Sequence, residues 1–149
     1  MTVFDSLFRE EERIAKAVRQ ISTGLLELDD FIVARGPLEL AKAEVSGKRI
    51  RRACDEINEE IHEAKKQIGV LMSGTKEVKL KGRKRLLHEL EDTLALLHGD
   101  VETIGNLAES FYKTDNRRVL FENLNHQYSE LMRHVMSLLS DQDMLKRAK

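Results

Sequence analysis

The sequence predicts an all-α fold: an antiparallel, up-down-up-down four-helix bundle with long helices. Three observations carry that expectation. Apolar residues recur at alternating steps of three and four, and strict alternation, the mark of a half-buried strand, persists nowhere. Turn-forming clusters fall at three places: Arg35-Gly36-Pro37, Ser73-Gly74-Thr75 through Gly82, and Lys113-Thr114-Asp115-Asn116. The 149 residues are 41% hydrophobic and 34% charged, which suits slender rods with one buried stripe each. That length fits one domain spanning residues 1–149.

The breaks leave four segments, with helices expected over approximately 3–35, 37–72, 82–113 and 115–146. In the first, the 3-4 stripe reads Phe4, Leu7, Glu11, Ile14, Val18, Ile21, Leu25, Leu28 and Ile32, with Glu11 its one polar member. Thr2 and Asp5 stand in capping-box positions at its start. Gly36 is expected to close it in the left-handed conformation, and Pro37 suits the first turn of the next helix. The second stripe, Leu40 through Ala43, Gly47, Ile50, Cys54, Ile57, Ile61, Ala64 and Ile68 to Leu71, carries no charge. Its small residues imply close backbone approach near the Gly36 end. The third runs Leu87, Leu90, Leu94, Leu97, Val101, Ile104, Ala108, Phe111, and the fourth Phe121, Leu124, Tyr128, Leu131, Val135, Leu138, Gln142, Leu145. Thr114, Asp115 or Asn116 can cap the fourth helix. Connections this short make sequential helices antiparallel. Gly24, Gly47, Gly69, Gly99 and Gly105 lie inside the expected helices, where each either admits a neighbour or permits a bend.

Composition narrows the function classes. Twenty-five Lys and Arg against 26 Asp and Glu leave a net charge of −1, so no overall field recruits nucleic acid or an anionic membrane. A single cysteine, Cys54, rules out an intrachain disulfide. No stretch approaches the ~20 apolar residues that cross a bilayer, and the N-terminal segment lacks the basic-then-apolar pattern of a signal peptide. The expectation is a cytoplasmic protein with no membrane association and no cofactor.

Four motifs carry possible chemistry. Glu59 and His62 form one Glu-x-x-His, the spacing that presents two ligands from one helix in dimetal bundles, but such sites need a second copy and further inward acids. Arg83 to His88 reads Arg-x4-His at a helix start. It resembles the signature of the HEPN family of helical-bundle ribonucleases, whose Arg and His meet RNA across a dimer interface. The resemblance implies Arg83 and His88 as catalytic residues, although Lys84 stands where that family usually has a small polar residue. Lys76, Lys79, Lys81, Arg83, Lys84 and Arg85 form a basic cluster able to meet a phosphate or an acidic partner, with no interleaved aromatics to stack bases. Arg51 to Glu59 is similar to the helix repeats of the PhoU family, which hold metal through carboxylates four residues apart. That likeness implies Asp55 and Glu59, with His62, as metal ligands, against Arg51 where an acid is expected.

No glycine-rich phosphate loop or nucleophile elbow is present. The preferred reading is a non-enzymatic, oligomerising or partner-binding module forming a homodimer. The alternatives are a HEPN-like ribonuclease and a PhoU-like metal-dependent regulator. The dimer expectation rests on apolar residues beside the stripes, Phe8, Leu26, Phe31, Leu86, Leu107, Leu120, Met132 and Leu139, which widen the apolar face for a four-helix core and leave any remainder to pair subunits.

Overall fold

The computed structural model describes residues 3–73 and 81–147, with the backbone alone at 81 and 82. Four helices follow one another: α1 (Val3–Asp29), α2 (Pro37–Ser73), α3 (Lys81–Ser110) and α4 (Arg117–Arg147). A short 3-10 turn, Phe111–Lys113, extends α3. Helices of this length reach roughly 40–55 Å at 1.5 Å per residue. Each helix packs on its neighbours in chain order, and α1 meets α4 to close the ring along the least extensive of the four seams. The all-α, up-down-up-down bundle is the architecture the periodicity demands. No strand occurs among the described residues.

Burial follows the stripes. Leu7, Ile14, Ile21, Ile50, Ile57, Leu90, Leu97 and Leu138 are fully buried in one apolar cluster. Phe4, Ile32, Leu71, Phe121 and Tyr128 sit at its margin, half-buried. Two polar stripe residues point inward as well, Glu11 and Gln142. Cys54 is a buried free thiol whose pKa burial pushes up to about 12, so it behaves as a small apolar side chain.

The helix ends differ from expectation in instructive ways. α1 stops at Asp29, six residues short of the expected 35, and residues 30–34 turn through bonds such as Phe31 N–H to the Leu28 carbonyl (2.9 Å) and Ala34 N–H to the Phe31 carbonyl (3.1 Å). Asp29 and Asp30 place negative charge at the negative end of the helix dipole, with no basic residue in the last turn to offset it. Gly36 is not left-handed, since no described glycine has positive φ. Instead its carbonyl accepts the first bond of α2 from Leu40 (3.0 Å), making it the N-cap with Pro37 at the first helical position. Asn116 does the same for α4, accepting from Leu120 at 3.2 Å. The expected cap at Thr2 lies outside the described residues.

Arg117 locks this end of the bundle. From the first turn of α4 its guanidinium donates to the carbonyls of Ile32 (3.1 Å), Ala34 and Thr114, tying the α1–α2 turn to the α3–α4 turn. It thus serves as a capping fork across two turns. Arg117→Ala is expected to cost about 2 kcal/mol in urea unfolding, because charge-assisted bonds are lost and carbonyls are left unpaired. Arg117→Lys is expected to recover little, since an ammonium lacks the planar fork that spans several carbonyls.

Candidate interaction surface

Several polar contacts bridge neighbouring helices along the seams. At the α1–α2 seam Glu27 accepts from Ser46 (2.8 Å) and Arg49 (2.9 Å), and Arg13 approaches Glu60 at 3.9 Å. At the α2–α3 seam Asn58 donates to Glu102 (2.7 Å) and meets the His98 ring at 2.9 Å, while Arg51 donates to Asn106 at 2.7 Å. The α3–α4 seam holds Thr93 bonded to Asp141 (3.2 Å), and a half-buried pair in which His134 Nδ1 meets the Asp100 carboxylate. Burial raises the Asp100 pKa, and the hydrogen bond from His134 works against that rise. A usable signal for this pair was present in the sequence, because Asp100 and His134 each immediately precede a core valine on facing helices.

Near the α1–α2 turn an open groove of about 420 Å³ separates the two helices. Phe31, Leu38, Ala41 and Val45 make it apolar, Glu27 and Asp30 stand on its α1 side, and Lys42 and Arg49 stand on α2. Leu38 is 70% and Val45 55% exposed, unusually high for large apolar side chains close together. The apolar residues beside the stripes are expected to widen the core face, with any remainder left to pair subunits. Most of them widen the core face: Phe8 is buried, and Phe31, Leu86, Leu107, Leu120, Met132 and Leu139 pack against the core. Of the eight, Leu26 alone is exposed. Other exposed large apolar side chains are spread over the bundle, among them Val33, Leu96 and Met136, and the groove brings Leu38 and Val45 of α2 to one place.

The motif residues are dispersed. Arg83 is half-buried with its guanidinium 5.7 Å from the Phe4 ring centroid, which ties the start of α3 to the start of α1. His88 is exposed, and five residues on one helix separate the two by more than a quarter turn. Lys84 and Arg85 are exposed, and Arg85 lies 3.8 Å from Glu89. Lys76, Lys79 and the Lys81 side chain fall outside the described residues. Asp55 pairs with Arg51 at 3.4 Å, and Glu59 and His62 face outward. Among the described residues no three His, Cys, Asp or Glu side chains are arranged to hold a metal ion. No described helix is long and apolar enough to cross a membrane.

These features define a helical bundle with a polar-rimmed apolar groove. No family model, curated protein or solved structure matches the chain.

Proposed function

We propose that this protein is a non-catalytic interaction module that works as a homodimer. One observation carries the reading: Leu38 and Val45 stand exposed beside Phe31 in an open groove. Leaving such surface in water is unfavourable by roughly 25 cal/mol per Å², and covering it with a partner recovers that free energy. The acid and base on the rim would give such contact its specificity. Light scattering of the pure chain at about 10 μM is expected to give twice the 17.1 kDa chain mass. The same sample should leave total RNA intact. A single-chain mass at every accessible concentration would remove the proposal, and cleavage that disappears in His88→Ala would favour the ribonuclease reading.

A further inference from the structure

We infer that a second copy of this chain docks on the outer face of the α1–α2 pair, with the two-fold axis running along the bundle. In that arrangement α1 of each copy lies against α2 of the other. The inference rests on the self-association reading and adds the face and the symmetry.

The charge layout of the face supports it. Near the α1–α2 turn the acids Glu27 and Asp30 stand on the α1 side of the groove, opposite the bases Lys42 and Arg49 of α2. Toward the other end the polarity reverses, with Arg13 and Lys16 on α1 and Glu56, Glu59 and Glu60 on α2. A two-fold axis parallel to the helices keeps each residue's height and exchanges left for right. It therefore sets the acids of α1 against the bases of α2 from the second copy, and the bases of α1 against its acids, at both ends together. The apolar side chains Leu38 and Val45 of α2 then face the α1 side of the second copy's groove at the same height, where Phe31 stands.

The alternative axis, in the same plane but across the helices, fails one condition or the other. Passed through the apolar patch, it opposes Asp30 to the acids of its mate and Lys42 to a second Lys42. Moved to the middle of the seam, it restores opposite charges but carries each apolar patch onto the charged end of the other copy. Only the lengthwise axis satisfies burial and charge at once. Asp30 and Lys42 also form no ion pair among the described residues, so both are available to a partner.

Sedimentation equilibrium on the full chain tests this, with far-UV circular dichroism confirming that each variant remains helical. Val45→Glu is expected to raise the dimer Kd about tenfold or more. Asp30→Lys and Lys42→Asp should each raise it several-fold, and the double variant should return to within about threefold of wild type, the signature of a direct pair. A dimer indifferent to Val45→Glu and to both charge reversals would overturn this face while leaving self-association standing. A dimer weakened by the single reversals and not recovered by the double would overturn the lengthwise axis. A monomeric wild type would remove both this inference and the reading beneath it.

Discussion

Replacing Glu11 with leucine is expected to stabilise the protein by about 2–4 kcal/mol at pH 8 and to flatten its dependence of stability on pH. Glu11 is fully buried in α1, and neither carboxylate oxygen has a hydrogen-bond partner among the described residues. Desolvation is the main reason its pKa rises to about 8; Lys146 of α4 opposes the rise, and Asp141 of α4 and the neighbouring Glu12 add to it. In the unfolded chain the same group titrates near 4.5. Between those two values the folded protein holds a proton that the unfolded chain releases, so raising the pH favours unfolding. The contribution is fully present below about pH 4.5 and is lost as pH climbs through 8, at a slope approaching 1.4 kcal/mol per pH unit. Asp100 and Asp141, whose pKa values burial also raises, act in the same direction. Urea titrations of wild type and Glu11→Leu at pH 5, 6.5 and 8 and at one protein concentration would check this. A wild-type unfolding free energy that does not fall across that range would contradict the assignment.

The second large effect is expected at glycines that look alike in the sequence. A Cβ built at Gly47 would lie 2.5 Å from the Ala108 carbonyl oxygen, so α2 and α3 approach backbone to backbone there. Neither side can rotate away, and Gly47→Ala must push the helices apart. That strain costs up to ~3 kcal/mol and exceeds the ~1 kcal/mol that alanine gains in helix propensity. At Gly69 the same substitution meets nothing within 4 Å, and Gly69→Ala should stabilise by up to ~1 kcal/mol. At Gly24 the obstacle is Ile50 Cγ1 on a fully buried, β-branched side chain, so alanine there is expected to destabilise as well. Thermal melts of Gly47→Ala and Gly69→Ala are expected to move in opposite directions. Equal shifts would show that close packing at Gly47 is not the reason for its glycine.

Much of the architecture was readable before any coordinate, because a helical stripe is a local property: the spacing of Leu87, Leu90, Leu94 and Leu97 states which face is buried without naming the neighbour. The groove was not readable in the same way. Phe31, Leu86 and Leu139 stand beside their stripes much as Leu26 does, yet three pack on the core and one faces water, and that depends on how far each neighbouring helix reaches round. Arg117 likewise resembled its neighbour Arg118 until two distant turns were brought together.

By itself, then, the order of residues determined the four helices, their antiparallel succession and the inward face of each, since period and turn chemistry act over a few residues. Tertiary structure alone decided that Glu11 is buried without a hydrogen-bond partner among the described residues, that Gly47 admits a carbonyl, and that acid and base face each other across α1 and α2. Those are relations between residues far apart in the chain, and they are set by the rotation and offset of one packed helix against the next, which no local spacing encodes.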